Sequence, residues 1–180
     1  MNKIKLYDKE FQISIHSDKI QSVVHHLANQ ISDDFRDKEI PVFLSILNGA
    51  FMFTADLFKY LTIDGYLTFV KFASYRGTSS SGEVKELIGL NEDMEGRNVI
   101  ELEDIVDSGL TIKQLTRQLE SLHLNEYRIA SFLHKPDACE EDIKLDYVGM
   151  EIPNDFIVGY GLDYDGLGRN YKDIYTLISE

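Results

Sequence analysis

Residues 99–111 carry the residue types and the spacing that bind a phosphorylated sugar. An apolar run ends at two adjacent carboxylates, Glu103 and Asp104, and a third, Asp107, precedes a small, hydroxyl-rich turn at 108–111. Small residues let the backbone N–H groups of a turn close around an anion, and the positive end of the following helix dipole adds to the attraction. Carboxylates at the end of a strand can hold sugar hydroxyls, or Mg²⁺ through water. The segment therefore predicts a sugar-phosphate site.

An ordinary strand–turn–helix junction with acidic residues at the helix start is the alternative interpretation. It accounts for Asp107 and Ser108, because both residue types are common at helix starts. It does not account for Glu103 and Asp104 at the end of a buried strand, where a carboxylate without a partner is costly. We therefore favour the binding site.

Composition places the chain among folded globular proteins. Its 180 residues, of which 43% are hydrophobic, fit one domain over residues 1–180 with a sizeable core. The first residues lack the apolar stretch of a signal peptide, and no segment approaches the roughly 18 uninterrupted apolar residues of a membrane helix. The single cysteine, Cys139, excludes an internal disulfide framework. We therefore expect a cytoplasmic protein with no membrane partner.

The formal net charge of −13 limits the kinds of partner. General nucleic-acid binding needs a basic surface, so we expect no nucleic-acid partner. An acidic protein that binds a phosphorylated sugar must use local groups, namely backbone amides, a few placed cations and a divalent metal. The histidines are not expected to form a metal site, because none has a partner at ligand spacing.

Apolar residues alternate between helix spacing and strand spacing along the chain. Helices are predicted at 17–34, at 50–61 and after Gly109. Leucines are predicted to line the third helix, namely Leu110, Leu115, Leu119 and Leu122. Strands are predicted at 41–47, 66–74, 97–102, 128–133, 146–152, 156–159 and 174–178. The alternation predicts an α/β fold with a mainly parallel twisted sheet flanked by helices on both faces.

Polar residues follow three of the predicted strands. They are Asn48–Gly49 after Leu47, the pair Glu103–Asp104, and His134–Lys135. Ligands of parallel sheets bind in the crevice at the carboxyl ends of the strands. We therefore expect these three segments to meet at one crevice.

The chain from about residue 41 to residue 180 resembles the hypoxanthine-guanine branch of the type I phosphoribosyltransferase family. Residues 99–111 match that family's phosphoribosyl pyrophosphate motif, in which a D-(S/T)-G-x-T turn holds the 5′-phosphate. Residues 151–164 resemble the purine-binding segment of this branch. The resemblance implies the type I phosphoribosyltransferase fold, with a small hood formed by the terminal segments. It also implies purine salvage, in which hypoxanthine or guanine and phosphoribosyl pyrophosphate give IMP or GMP and pyrophosphate.

The resemblance implies roles for the residues of the sugar-phosphate motif. The ribose phosphate would be bound by Glu103, Asp104, Asp107, Ser108, Gly109, Leu110 and Thr111. Asp107 is the implied catalytic residue, as a general base or hydrogen-bond partner at purine N7. Mg²⁺ is the implied cofactor, with Glu103 and Asp104 as ligands and Asp163 as a ligand of a second ion.

A pyrophosphate loop is implied at Leu47, Asn48 and Gly49, with Arg169 as a fork-shaped donor to the same group. The family's loop usually reads Leu-Lys-Gly, so Asn48 removes a cation near the pyrophosphate. A non-proline cis peptide bond is typical of that loop, and we expect it at Leu47–Asn48. The alternative is a plain turn at Asn48–Gly49.

A purine pocket is implied at Lys135, Phe156, Ile157 and Asp163. Lys135 would donate to the 6-oxygen of the base, and the ring of Phe156 would stack on it. The backbone carbonyls of Ile157 and Asp163 would face the 2-position. From the residues alone, a lone lysine such as Lys135 is normally a solvated charge, and Phe156 is equally an ordinary core residue.

A mobile flap is implied at Ser74 and Tyr75, followed by the serine-rich loop 76–82. Such a flap closes over the reaction and excludes water. Composition alone describes this loop equally well as a disordered surface segment.

Two other functions remain open. One is a regulatory protein on the same scaffold that binds nucleotide and RNA, which the charge of −13 opposes. The other is an enzyme of the same class that acts on xanthine or adenine. The partners we expect are small-molecule substrates and, as a homodimer or homotetramer, further copies of this chain.

Overall fold

The computed structural model describes residues 2–73, 85–88, 94–139 and 143–178. Its helices are α1 (Ser17–Phe35), α2 (Phe51–Tyr60) and α3 (Leu110–Glu120). Its strands are β1 (Lys3–Leu6), β2 (Lys9–Ile15), β3 (Val42–Leu47), β4 (Tyr66–Ala73), β5 (Lys85–Ile88), β6 (Asn98–Val106), β7 (Glu126–His134), β8 (Tyr147–Glu151), β9 (Ile157–Val158) and β10 (Ile174–Leu177). In this described part of the chain, no helix combines the length and apolar content needed to cross a bilayer.

The main sheet has the strand order β5-β4-β3-β6-β7-β8. The five strands from β4 to β8 in this order pair in parallel, and β5 pairs antiparallel with β4 at one edge. This confirms the predicted α/β fold with a mainly parallel sheet. The carboxyl ends of β3, β6 and β7 therefore lie at one end of the sheet, where a ligand site is expected.

Side chains that alternate in direction along the strands form two apolar layers, one on each face of the main sheet. In β3, Phe43 packs in the layer that holds α1 and α2. Its neighbours Val42 and Leu44 pack on the other side with Leu115 and Leu119 of α3. Side chains of a strand point alternately to opposite faces, so a strand covered on both faces is apolar throughout.

A second, four-stranded sheet forms a hood with the order β1-β2-β10-β9. It joins an N-terminal hairpin to the C-terminal strand, and Phe11, Val158 and Tyr175 are buried in its own apolar cluster. This confirms the predicted hood of terminal segments, although the sequence did not predict the individual strands β1 and β2, or β5 in the main sheet.

Two predicted strands differ from the observed ones next to residues of the predicted site. The strand predicted at 97–102 continues to Val106, because β6 still pairs with β7 at Glu103, Ile105 and Val106. The strand predicted at 156–159 contains only β9, so Phe156 lies outside it. Gly159 ends β9 because its φ of +101° suits glycine, and a side-chain carbon there would overlap the backbone oxygen of Asp173.

Leu110 does not lie on the packed face of its helix as predicted. It is the first residue of α3 and its side chain is 57% exposed, whereas Leu115 and Leu119 are buried. Leu122 follows the end of α3 and packs partly buried against the same cluster. The spacing of the leucines identified the helix, but Leu110 lines a cleft at the start of α3 instead of the core.

Candidate active site

A cleft of about 460 Å³ lies at the carboxyl ends of β3 and β6. Residues 103–112 line it, together with Leu47 and Gly49 from the loop after β3 and Asp163 and Arg169 from the hood. The cleft thus brings together most of the groups predicted to bind ribose phosphate and pyrophosphate. A cleft of similar volume between α3 and β7, about 480 Å³, contains none of the predicted site residues.

The turn at the start of α3 leaves backbone donors available to an anion. Gly109 has a φ of +82°, a conformation that favours glycine, and its carbonyl accepts the amide of Lys113 to begin the helix. Gly109 is the N-cap of α3 and has no side chain with which to cap the helix start. The first N–H groups of a helix have no partner within the helix, so the turn at 108–111 suits a phosphate.

The carboxyl groups of Glu103 and Asp104 lie beside this turn, with Glu103 buried and Asp104 partly buried. Burial, followed by the charges of Asp104 and Glu101, raises the pKa of Glu103 well above its usual value. Burial also raises the pKa of Asp104 to about 6, against the opposing effects of backbone N–H groups and Arg169. Two such carboxyl groups favour a bound cation or hydroxyl donors, which would offset the lost hydration.

The residues present fit Mg²⁺ held partly by water and substrate oxygens. Mg²⁺ is usually bound through one or two carboxylates, with several waters and phosphate oxygens as its other ligands. Glu103 and Asp104 can provide the carboxylates. In the described ranges, no three acidic, histidine or cysteine side chains form a metal-binding group. Asp163 already accepts the Gly166 amide at 2.7 Å and pairs with Arg169, so its place as a ligand stays a prediction.

Arg169 is held in a fixed orientation at the edge of the cleft. One guanidinium nitrogen donates to the Gly161 carbonyl at 2.7 Å, and the other lies 2.6 Å from an Asp163 oxygen. A guanidinium fixed at two points keeps its remaining donors aimed without further loss of entropy. The arrangement suits a phosphate or pyrophosphate oxygen on the open side.

Asp107 and Lys135 form an ion pair across the ends of β6 and β7. The Lys135 ammonium is buried and lies 3.2 Å from Asp107, whose side chain is half exposed in the cleft. The Lys135 amide also donates to the Val106 carbonyl at 2.9 Å. We predicted both residues separately but not the pair. Their strands are neighbours, and a buried ammonium needs a partner.

Of the other predicted purine residues, Asp163 lines this cleft, whereas Phe156 and Ile157 lie in the hood outside its lining. Phe156 is 45% exposed, and Tyr164 meets its ring edge-on at a centroid distance of 5.8 Å. The side chain of Ile157 is buried in the main core, so only its backbone is available to a ligand. Asn48 does not line the cleft either, but the Leu47–Asn48 peptide bond is cis, as predicted.

The sequence analysis missed Ile105, which lines the cleft between the carboxylates and Asp107. An isoleucine inside an apolar run is normally predicted to be a core residue. Only the position of Ile105 between acidic residues could have indicated that it lines the site. The predicted flap, Ser74 and Tyr75 with the loop 76–82, lies outside the described residues.

Comparison with known proteins identifies relatives over most of the chain. Residues 14–165 match the model of the phosphoribosyl transferase domain family. A hypoxanthine-guanine phosphoribosyltransferase of Mycobacterium tuberculosis is 40% identical over 167 residues, which cover 89% of this chain and 83% of that protein. One of Staphylococcus epidermidis is 38% identical over 169 residues, covering 93% and 94%. The solved structure of a hypoxanthine-guanine phosphoribosyltransferase of Bacillus anthracis has a TM-score of 0.86 at 35% identity, covering 93% of this chain and 98% of that one.

Proposed function

The chain belongs to the phosphoribosyl transferase domain family, and we propose that it is a Mg²⁺-dependent hypoxanthine-guanine phosphoribosyltransferase of purine salvage. It transfers the ribose 5-phosphate of phosphoribosyl pyrophosphate to N9 of hypoxanthine or guanine and releases pyrophosphate. Relatives of that name at 38–40% identity over about nine-tenths of the chain support this choice. Assembly as a homodimer or homotetramer and a cytoplasmic location remain predictions.

The observation that supports the proposal most is the convergence of three kinds of group on one cleft. A helix start with glycine at its N-cap, the carboxyl groups of Glu103 and Asp104 and a doubly anchored arginine face the same space. Together they match the three parts of phosphoribosyl pyrophosphate: a terminal phosphate, a sugar diol and a pyrophosphate. A structural strand–turn–helix junction needs none of them at this position.

In the proposed reaction the protein mainly positions the reactants and stabilises charge. The turn at 108–111 binds the 5′-phosphate, and Glu103 and Asp104 hold the ribose hydroxyls. Arg169 and the loop at Leu47–Gly49 bind pyrophosphate. When bound, Mg²⁺ neutralises charge on the departing pyrophosphate.

Asp107 and Lys135 act at the base in this proposal. The Asp107 carboxylate accepts the hydrogen at N7 as the bond to N9 forms, and the Lys135 ammonium holds the carboxylate in place and donates to the 6-oxygen. The ion pair at 3.2 Å is consistent with both tasks, because an ammonium has three donors and can serve two acceptors.

Product analysis tests the proposed function. The protein with hypoxanthine, phosphoribosyl pyrophosphate and Mg²⁺ is expected to form IMP and pyrophosphate in equal amounts, and chelation of Mg²⁺ should abolish the reaction. Asp107→Asn should lower kcat more than it raises KM, since general acid–base catalysis contributes about 10²–10⁴-fold. Nucleotide binding without any turnover would instead favour a regulatory protein on this scaffold.

A further inference from the structure

The segment at residues 159–161 packs directly on the pyrophosphate loop. A side-chain carbon at Gly161 would overlap the backbone oxygen of Gly49, and one at Gly49 would overlap the carboxylate of Asp104. Gly161, Gly49 and Asp104 are therefore stacked in contact, with no space between successive members. A displacement of Gly161 must move Gly49 and, with it, the surroundings of Asp104.

The backbone of this segment adopts a conformation that needs support. Gly159, Tyr160 and Gly161 have φ angles of +101°, +48° and +98°. Two of the three are glycine, but Tyr160 has a side chain, and such a residue keeps a positive φ only where its surroundings enforce it. The amides of Tyr160 and Gly161 donate to the carbonyls of Tyr171 and Arg169 at 2.8 and 3.0 Å.

The side chain of Tyr160 provides the third anchor. Its ring is buried, and its hydroxyl donates to Asp56 at 2.9 Å. Asp56 lies on α2, the helix that begins two residues after the pyrophosphate loop. The same carboxylate accepts Gln21 from α1 at 2.6 Å and pairs with Lys59 at 2.7 Å. Burial raises the pKa of Asp56, but the bonds from Lys59, Gln21 and Tyr160 outweigh it and lower that pKa.

These contacts close a ring around the pyrophosphate loop. The chain continues from Gly49 into α2, where the carboxylate of Asp56 accepts the hydroxyl of Tyr160. Gly161, the next residue after Tyr160, packs on Gly49. A buried hydroxyl pair, Ser45 and Thr54 at 2.7 Å, fixes α2 against β3 on the other side of the loop. Of the bonds that close this ring, the one from Tyr160 to Asp56 joins the hood to α2.

We propose that Tyr160 and Asp56 are positioning residues whose hydrogen bond holds the pyrophosphate loop against the segment at residues 159–161. Neither side chain lines the cleft, so the pair acts through Gly161 and Gly49. The pair sets the affinity for the pyrophosphate part of the sugar substrate. This role rests on the proposed function, whereas the fixing of the loop does not.

A pair of matched substitutions separates this role from simple stabilisation. Tyr160→Phe removes the hydroxyl on Asp56, and Tyr60→Phe removes a hydroxyl that donates to Gln21 at 3.0 Å in the same network but does not reach Gly161. A hydrogen bond to a charged group is worth about tenfold in an equilibrium. Tyr160→Phe should therefore raise KM for phosphoribosyl pyrophosphate about tenfold, with kcat much less affected. Tyr60→Phe should leave both constants unchanged.

Hydrogen exchange tests the fixing of the loop without any turnover. The amides of Ala50 and Phe51 donate back to Ile46 and Asn48 across the loop. They should exchange faster in Tyr160→Phe than in the wild type, and at the wild-type rate in Tyr60→Phe. Asp56→Asn, which keeps an acceptor oxygen, should fall between Tyr160→Phe and the wild type.

The outcomes distinguish the two proposals. Equal exchange in both tyrosine variants, or an equal rise in KM in both, would overturn the positioning role. A wild-type protein without phosphoribosyl transfer would contradict the proposed function, and the exchange rates would still decide whether the Tyr160–Asp56 bond holds the loop.

Discussion

Three carboxyl groups lie on β6, where loss of hydration disfavours their charged form. Glu101 and Glu103 are buried and Asp104 is partly buried, and burial raises the pKa of each. A buried carboxyl group that is not compensated destabilises the fold, so its presence indicates a partner or a task. For Glu103 and Asp104 the task is the proposed ribose and Mg²⁺ site.

The amide substitutions Glu103→Gln and Asp104→Asn, made together, should separate binding from folding. They keep the volume of both side chains and remove the buried charge, so the free energy of unfolding should not fall. Binding of phosphoribosyl pyrophosphate in Mg²⁺ should weaken by more than about tenfold, since each charge-assisted bond contributes about 1.5–3 kcal/mol. Titration calorimetry measures this directly, and an unchanged affinity would remove both residues from the site.

Glu101 has no assigned task and gives a prediction about pH. Burial raises its pKa to about 8, against the hydrogen bond from Tyr127, and its other oxygen has no hydrogen-bond partner among the described residues. Below the ordinary glutamate pKa both the folded and unfolded states are protonated. Between that value and about 8 the unfolded state loses the proton first, so the free energy of unfolding falls as pH rises.

The comparison of wild type with Glu101→Gln isolates this contribution. In Mg²⁺-free buffer from pH 5 to pH 7.5, the stability of the wild type should fall relative to the variant by about 1.4 kcal/mol per pH unit at most. Urea unfolding at several pH values measures the difference. Parallel stability curves for the two proteins would show that Glu101 is ionised in the folded state.

At the scale of elements, the start of α3 joins backbone conformation to binding. Gly109 and Gly96 both have positive φ, +82° and +69°, but only Gly109 lies in the cleft. Replacement of each by alanine should destabilise the fold by a similar amount, about 1–2 kcal/mol. Only Gly109→Ala should also weaken the binding of phosphoribosyl pyrophosphate, because it distorts the turn around the phosphate. Equal affinity in both variants would contradict a phosphate site at this turn.

The sequence predicted the helices and the parallel strands of the main sheet well because their patterns are local. Residues 17–34 become α1 with one residue added, since buried residues such as Ile20, Val24 and Leu27 repeat at helical spacing. The end of β6 was misjudged, because pairing with β7 and not apolar character decides where a strand stops. The hairpin β1–β2 was also missed, because its strands of 4 and 7 residues are short for an alternating pattern to be recognised.

At the scale of the whole molecule, the site lies where the main sheet meets the hood. Glu103 and Asp104 come from the sheet, whereas Asp163 and Arg169 come from the chain between β9 and β10. Motif spacing identified the groups but gave no distances across this junction. The ion pair of Lys135 with Asp107 and the bond of Tyr160 to Asp56 join residues 28 and 104 positions apart, so neither could be read from local sequence.

The central claim concerns the choice of base, and it rests on Lys135. An ammonium donates but cannot accept, so it suits the 6-oxygen of hypoxanthine and guanine and opposes the 6-amino group of adenine. The carbonyls of Ile157 and Asp163, if they face the 2-position as predicted, would accept from guanine and repel the oxygen of xanthine. A site built on such bonds can reject the wrong analogue by about 10⁴-fold.

The most direct measurement is kcat/KM of the wild type and Lys135→Met for each of the four bases with saturating phosphoribosyl pyrophosphate and Mg²⁺. For the wild type the expected order is guanine and hypoxanthine first, xanthine well below and adenine essentially unused. Lys135→Met should lower kcat/KM for the 6-oxo purines and so reduce the ratio of their kcat/KM to that of adenine. Use of adenine by the wild type within about tenfold of hypoxanthine would contradict the account, because a site with a donor at the 6-position rejects such an analogue.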